Sequence, residues 1–173
     1  MEGFLGILKI RIKKGIDLAI RDTCHTSDPY VVLRMYEQKL RTKVVKDDCN
    51  PEWNEELTLY LKRIDSPIEL NVFDKDTYTE DDPMGKAEID IKPLLECAKM
   101  NEEELNDVPN GCVVKRVQPS RNNYLSDESC ITWIDGKLVQ EMFIRLKNVE
   151  RGEILLEIEW NDENCIGLSG VEL

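Results

Sequence analysis

Aspartate residues are concentrated in two short stretches of the sequence. Asp22 and Asp28 lie in the first stretch, and Asp74, Asp76 and Asp82 lie in the second. Calcium takes roughly six to eight oxygen ligands, which clustered carboxylates and backbone carbonyls supply together. Because side chains two residues apart on an extended backbone point to the same side, Asp74 and Asp76 can share one ion. The residue types and their spacing therefore indicate a calcium site.

The same aspartates have a simpler interpretation as turn residues, because Asp is common in loops and either stretch alone fits that role. Two stretches with the same excess of carboxylates favour calcium. Carboxylates gathered without a cation would repel one another and raise the proton affinity of some members. Bound calcium would cancel most of this charge and keep coordination positions for the phosphate oxygens of phosphatidylserine-like lipids. We therefore expect an electrostatic switch that bridges protein and membrane.

The overall charge limits the partners that this chain can bind. The 173 residues carry 35 acidic and 23 basic side chains, a net charge of −12. This charge argues against binding to nucleic acid and against constitutive binding to anionic membranes. The sequence has no run of about eighteen apolar residues, so we expect membrane contact to be peripheral. The single histidine, His25, has no nucleophile at a recognisable spacing, and we predict no catalytic residues and no enzymatic activity.

Apolar and polar residues alternate with the two-residue period of half-buried strands. Eight such segments, separated by turn residues, predict an all-β antiparallel sandwich. The predicted strands are Leu8–Lys13, Tyr30–Met35, Leu40–Val45, Glu55–Leu61, Ile68–Phe73, Gly85–Ile91, Leu138–Leu146 and Glu153–Trp160. Helical spacing of apolar residues predicts one short helix over Pro93–Asn106. The segment 107–135 is long for a hairpin connection and carries apolar runs that suggest minor strands.

Three motifs in sequence order resemble the pattern of C2 domains. They are Ser27–Val31 (SDPYV), Asn50–Glu55 (NPEWNE), and Asp74-x-Asp76 followed by Asp82-x-Met84-Gly85. The resemblance spans the first half of the chain and implies a set of calcium ligands from two loops. The implied ligands are the carboxylates of Asp22, Asp28, Asp74, Asp76 and Asp82 and the backbone carbonyls of Arg21 and Lys75.

Basic residues alternate along the third predicted strand. Lys39, Arg41 and Lys43 fall on one face, and Arg34 on the preceding strand is expected to join them. In the C2 domains that this chain resembles, such a patch contacts phosphoinositide headgroups. The alternative is the solvated outer face of a sandwich, and the sequence leaves both interpretations open. Tyr78 is the bulky aromatic nearest to a loop tip, and we expect it to touch lipid without deep insertion.

A more extensive resemblance, to the small plant C2-domain proteins related to abscisic acid, covers nearly the whole chain. The stretches that carry it are Gly6–Ile12, Lys92–Leu95, Leu125–Ser129 and Gly152–Trp160. This resemblance implies an insertion at residues 92–137, ahead of the last two strands. The first predicted strand lies directly before the first calcium loop and the last is Glu153–Trp160, an order that, compared with kinase-type C2 domains, looks like the circularly permuted, type II topology. It also implies recruitment of abscisic acid receptors of the PYR/PYL type to membranes, in a group that includes GTPase activators.

The sequence therefore predicts an eight-stranded antiparallel C2 sandwich over residues 1–161 and a tail at 162–173. We expect calcium-dependent binding to anionic phospholipids that brings an abscisic acid receptor to the membrane. Two alternatives stay open: activation of a small GTPase, and a calcium-independent protein-interaction scaffold. The expected location is the cytoplasmic side of the plasma membrane, with the nucleus as a second compartment.

Overall fold

The computed structural model describes residues 5–20, 27–62, 67–100 and 102–161. Within these ranges the chain forms ten strands and two short helices. The strands are β1 (Gly6–Ile16), β2 (Pro29–Met35), β3 (Gln38–Arg41), β4 (Glu52–Leu61), β5 (Ile68–Asp74), β6 (Asp82–Ile89), β7 (Cys112–Val117), β8 (Ser129–Ile134), β9 (Lys137–Arg145) and β10 (Glu153–Asn161). The helices α1 (Lys92–Ala98) and α2 (Glu102–Asn106) lie between β6 and β7.

The strands form two antiparallel sheets that enclose one core. One sheet has the order β4-β1-β10-β9-β8-β7, and the other has the order β3-β2-β5-β6. On β1, Leu8, Ile10 and Ile12 are fully buried while Arg11 is exposed, because alternate residues of a strand face opposite sides. These buried side chains belong to the same core cluster as Leu33 of the four-stranded sheet. The predicted all-β antiparallel sandwich is confirmed.

The insertion adds two strands to the eight main ones, as the apolar runs of its sequence suggested. β7 pairs with β8, and β8 pairs with β9, so both strands extend the six-stranded sheet. All eight predicted segments contain strands, but the third ends at Arg41 instead of Val45. Beyond Arg41, the amide of Val31 donates to the hydroxyl of Thr42 at 2.9 Å, where a regular ladder would offer a backbone carbonyl. The type II topology stays a prediction.

The single helix predicted over Pro93–Asn106 is present as two shorter helices. α1 buries Leu95 and Cys97 and contacts β7, β9 and β10, so it covers part of the six-stranded sheet. After α1 the amide of Met100 donates to the carbonyl of Cys97 at 3.1 Å, the tighter turn that often ends a helix. α2 buries Leu105. The helical character of the segment was predicted correctly, and its continuity was not.

Trp53 forms a hydrogen bond between the two sheets, next to the predicted calcium loops. This residue of β4 is 1% exposed, and its indole Nε1 donates to the carbonyl of Pro29 on β2 at 3.2 Å. Pro29 directly follows Asp28 and pairs in register with Asp74 of β5. The buried indole therefore fixes the end of the four-stranded sheet that carries both aspartates.

The described ranges contain no helix that is long and apolar enough to cross a membrane. The predicted tail at 162–173 lies outside the described residues, and the predicted limits of the domain stay a prediction.

Candidate functional site

Three carboxylates meet where β5 ends and β6 begins. Asp74 is the last residue of β5, Asp82 is the first residue of β6, and the two pair across the strands. Asp76 lies in the connecting loop, and one carboxylate oxygen from each of the three lies within 4.8 Å of the others. Asp74 is buried, Asp76 is half-buried and Asp82 is exposed. This carboxylate cluster therefore opens from the interior of the sandwich towards solvent.

Asp28 joins the carboxylate cluster through its backbone. Its amide donates to Oδ1 of Asp74 at 2.8 Å, and its carbonyl accepts from the amide of Lys75 at 3.0 Å. Its own Oδ1 accepts from the amide of Asp47 at 2.8 Å. The structure thus brings Asp28 from one predicted loop against Asp74 from the other.

Two of the predicted ligands, Arg21 and Asp22, lie outside the residues that the structure describes. Lys75 lies within them; its side chain is half-exposed, and its Nζ is 3.6 Å from Oδ2 of Asp81. The structure groups four of the predicted aspartates at one end of the sandwich. The assignment of these residues as calcium ligands stays a prediction.

Sequence reasoning missed Asp81, which holds the loop between β5 and β6. Its Oδ2 accepts a hydrogen bond from the hydroxyl of Tyr30, and its Oδ1 accepts from the amide of Asp76 at 2.9 Å. The hydrogen bond from Tyr30, reinforced by that amide, lowers the pKa of Asp81. Burial, together with the Asp81 carboxylate, raises the pKa of Tyr30 to about 12. The sequence contained two hints of this contact: the adjacent aspartates Asp81 and Asp82 in the loop, and Tyr30 near the start of β2.

The structure places three of the four predicted basic residues on one exposed surface, here called the basic face: Arg34, Lys39 and Arg41. Arg34 on β2 pairs directly with Lys39 on β3, and Arg41 is exposed on the same strand as Lys39. Like charges opposite one another are unfavourable unless an anion reduces their repulsion. Lys43 is also exposed but follows the end of β3, and its amide donates to the carboxylate of Glu55 at 2.8 Å.

Tyr30 connects the basic face with the loop of the carboxylate cluster. The guanidinium carbon of Arg41 lies 5.3 Å from the centroid of the Tyr30 ring, and the Tyr30 hydroxyl donates to Asp81. At the other end of the basic face, Glu69 pairs in register with Arg34 and reduces the local positive charge. One aromatic residue therefore contacts both the basic face and the loop that carries Asp76.

Tyr78 stands at the tip of the loop between Asp76 and Asp82. Its side chain is 97% exposed. A phenol ring is unfavourable in water and well suited to the boundary between water and lipid, where its apolar body and polar hydroxyl are both accommodated. The position agrees with the predicted lipid contact, and the contact itself stays a prediction.

A comparison with protein families matches the part of the chain that contains the three C2-like motifs. The family model of the C2 domain matches residues 6–106. Protein C2-DOMAIN ABA-RELATED 10 of Arabidopsis thaliana is 54% identical over 166 residues, which cover 95% of this chain and 91% of that protein. Protein C2-DOMAIN ABA-RELATED 4 of the same plant is 48% identical over 162 residues, which cover 94% of this chain and 89% of that protein.

Solved structures share the fold at low sequence identity. A calcium-bound structure of two C2 domains, A and B, of extended synaptotagmin 2 matches 92% of this chain with a TM-score of 0.63 and 23% identity. This chain spans 47% of that one. The C2 domain A of plant extended synaptotagmin 1 matches 90% of this chain and 93% of its own length, with a TM-score of 0.57 and 16% identity.

Proposed function

We propose a function on one premise: the chain belongs to the C2-domain ABA-related family of C2-domain proteins. It binds anionic phospholipid membranes in a calcium-dependent manner, with calcium held by Asp28, Asp74, Asp76 and Asp82. The observation that carries this proposal is the carboxylate cluster, whose oxygens lie within 4.8 Å of one another and whose member Asp74 is fully buried. Carboxylates this close repel one another, and a cation removes that repulsion.

The donor set suits calcium. The clustered side chains offer only carboxylate oxygens, which bind hard cations, whereas zinc and copper sites usually include sulfur or imidazole nitrogen. Asp82 is exposed, so the cluster is accessible to a lipid phosphate from the solvent side. When bound, calcium supplies the positive charge that attracts and coordinates that phosphate. Asp81 and Tyr30 hold the loop that carries Asp76 in position.

The basic face adds a second attraction for anionic lipid. Arg34, Lys39 and Arg41 are exposed on β2 and β3, and a cation near an anionic membrane surface contributes about 1 kcal/mol. This contribution opposes the repulsion that a chain of net charge −12 experiences at the same surface. Calcium would therefore control whether the chain binds, and the basic face would favour highly charged phosphoinositides.

Sedimentation with lipid vesicles tests the proposal. Vesicles of phosphatidylserine and phosphatidylcholine are mixed with the protein in calcium or in EGTA, and the bound fraction is measured after centrifugation. We expect binding in calcium, little binding in EGTA, and a large loss of binding in Asp76→Asn with Asp82→Asn, because both carboxylates are members of the cluster.

Glu80→Gln is the matched control, since Glu80 is an exposed carboxylate of the same loop outside the cluster. It removes one negative charge and should keep calcium-dependent binding. Binding that persists unchanged in EGTA, or in the double variant with its folding intact, would contradict the proposal. Such a result would favour the calcium-independent scaffold instead.

We further propose that the membrane-bound chain recruits an abscisic acid receptor of the PYR/PYL type at the cytoplasmic side of the plasma membrane. The names of its relatives, C2-DOMAIN ABA-RELATED proteins, support this proposal. A purified receptor should sediment with anionic vesicles when both the chain and calcium are present. Equal sedimentation of the receptor without the chain would contradict recruitment, and imaging of the tagged chain in plant cells tests the location.

A further inference from the structure

Two lysines lie directly opposite one another where the chain leaves β9 and meets β6. The amide of Lys86 donates to the carbonyl of Lys147 at 3.0 Å, and the amide of Lys147 donates to the carbonyl of Lys86 at 2.8 Å. Residues that exchange both hydrogen bonds in this way form an antiparallel pair, and their side chains project from the same side. Gly85, Ala87 and Leu146 beside them are buried, whereas both lysines are exposed. The backbone therefore holds two cations side by side at the surface.

The charge of this lysine pair is not compensated within the described part of the chain. Like charges directly opposite one another on paired strands are destabilising. Neither Lys86 nor Lys147 forms an ion pair with a described carboxylate. Glu88 lies two residues after Lys86 on β6, and it pairs in register with Glu69 of β5. An anion bound between the two ammonium groups would reduce their repulsion.

The ring of Tyr124 holds one member of the pair in position. Nζ of Lys147 lies 4.5 Å from the centroid of this ring. Tyr124 is half-buried against the core, and its carbonyl accepts from the amide of Arg145 at 2.7 Å, which fixes the ring beside the end of β9. An ammonium that rests on an aromatic face keeps N–H donors for a further ligand. Because Lys147 is already restricted, less conformational entropy is lost when an anion binds.

Asn71 adds a neutral donor on the other side of Lys86. It pairs in register with Lys86 across β5 and β6, so both side chains project from the same side of the sheet. Leu70 and Val72 beside it are buried, and Asn71 itself is half-buried. Its side-chain amide forms no hydrogen bond with any residue that the structure describes. One row across the strands thus presents an amide N–H₂ group and two ammonium groups.

We propose that Asn71, Lys86 and Lys147 bind a phosphate group. A phosphate offers several acceptor oxygens and negative charge, which match a row of donors that carries two positive charges. The same chemistry occurs in lipid headgroups and in soluble inositol phosphates. This row is separate from the basic face, because β6 and β3 lie at opposite edges of the four-stranded sheet, about 14 Å apart.

Nuclear magnetic resonance titration in EGTA tests the inference without calcium or membranes, so its outcome is independent of the proposed membrane function. The ¹⁵N-labelled protein is titrated with inositol 1,4,5-trisphosphate, with unphosphorylated inositol, and with sodium chloride at matched ionic strength. We expect saturable shifts of the Asn71 side-chain amide and of the Leu146 backbone amide with the trisphosphate, and no saturable shift with inositol or chloride.

Variants make the test specific to this row. Lys86→Gln with Lys147→Gln should weaken trisphosphate binding at these resonances about tenfold, as expected for two exposed charges. Arg34→Gln with Lys39→Gln removes the same charge from the basic face of the same sheet and should leave these shifts unchanged. Tyr124→Leu should weaken binding about threefold, whereas Tyr124→Phe keeps the aromatic face and should bind as wild type does.

Sedimentation with vesicles in calcium distinguishes the two sources of phosphate. Vesicles of phosphatidylcholine and phosphatidylserine are compared with and without phosphatidylinositol bisphosphate. Weaker binding of the Lys86 and Lys147 double variant only to the vesicles that contain the bisphosphate would identify a lipid headgroup. Equal vesicle binding, together with the loss of trisphosphate binding in solution, would identify a soluble phosphate.

Two results would overturn the proposal. One is the absence of a saturable shift at Asn71 and Leu146 when wild type is titrated with the trisphosphate. The other is trisphosphate binding at these resonances that persists at full strength in the folded Lys86 and Lys147 double variant, or that falls equally in the variant of the basic face.

Discussion

Replacing Tyr30 by Phe removes one hydroxyl group and keeps the aromatic ring. In the structure this hydroxyl donates to Oδ2 of Asp81, while the ring lies beside the guanidinium of Arg41. Tyr30 is 6% exposed, so the burial of its ring hardly changes with the substitution. The variant therefore isolates the hydrogen bond that ties β2 to the loop carrying Asp76.

The expected loss of unfolding free energy follows from the partners of Asp81. A hydrogen bond to a charged group contributes about 1.5–3 kcal/mol. Asp81 keeps its bond from the Asp76 amide at 2.9 Å and its contact with the half-exposed Lys75 at 3.6 Å. Its side chain is 17% exposed, so water can replace part of the lost hydrogen bond. We therefore expect a loss near the lower limit, about 1.5 kcal/mol.

Urea unfolding in EGTA measures this loss, and a double-mutant cycle assigns it to the pair. The cycle compares wild type, Tyr30→Phe, Asp81→Asn and the double variant, and we expect a coupling energy of about 1.5 kcal/mol. Tyr78→Phe is the control, because that hydroxyl belongs to a side chain that is 97% exposed, and its removal should change stability little. A coupling energy near zero would refute the role of Asp81 as an anchor of the loop.

Three further predictions concern exposed side chains and thiols. Tyr78→Ala should lower the affinity for anionic vesicles about fivefold, since burying half of such a side chain in the lipid surface gains about 1 kcal/mol. The affinity for calcium, measured without lipid, should stay unchanged. Arg34→Gln with Lys39→Gln should weaken sedimentation with phosphoinositide vesicles by about 2 kcal/mol at low salt. Burial raises the pKa of the Cys97 thiol and reduces its thiolate fraction, so iodoacetamide should alkylate exposed Cys112 faster, as measured by peptide mass spectrometry.

Each of these predictions has a clear contrary result. Equal vesicle affinity for wild type and Tyr78→Ala would rule out lipid contact at the loop tip. Lys99→Gln with Arg121→Gln removes two exposed cations outside β2 and β3, and an equal loss of phosphoinositide binding in this control would attribute the effect to net charge. Equal alkylation rates for Cys97 and Cys112 would show that burial does not protect the former.

The strands were the most predictable part of the fold because alternation is a local property. Leu8, Ile10 and Ile12 alternate with charged residues on β1, where one side faces the core and the other faces solvent. β7 is an edge strand whose side chains are half-buried or exposed throughout, so its alternation is weak. Its place beside β8 depends on pairing between distant segments, and no local pattern specifies that pairing.

The residues of the candidate site also fall into two groups: those that the local sequence predicts, and those that only the fold brings together. Asp74, Asp76 and Asp82 could be predicted because residue type and spacing within one loop already describe the chemistry of a cation site. The anchor formed by Tyr30 and Asp81 could not, since these residues are 51 positions apart and meet only because β2 and β5 are neighbours. Spacing within the loop cannot decide which aspartate of an adjacent pair points into the cluster and which points to a neighbouring strand.

Gln140 shows a further limit of reasoning from alternation. It occupies an inward position of β9 between Leu138 and Met142, where the pattern predicts an apolar residue. A polar residue at such a position is a visible signal, but its partner, Ser129 of the adjacent strand, is distant in sequence. The Ser129 hydroxyl accepts from one end of the amide, and the other end, Oε1, is buried without a hydrogen-bond partner among the described residues.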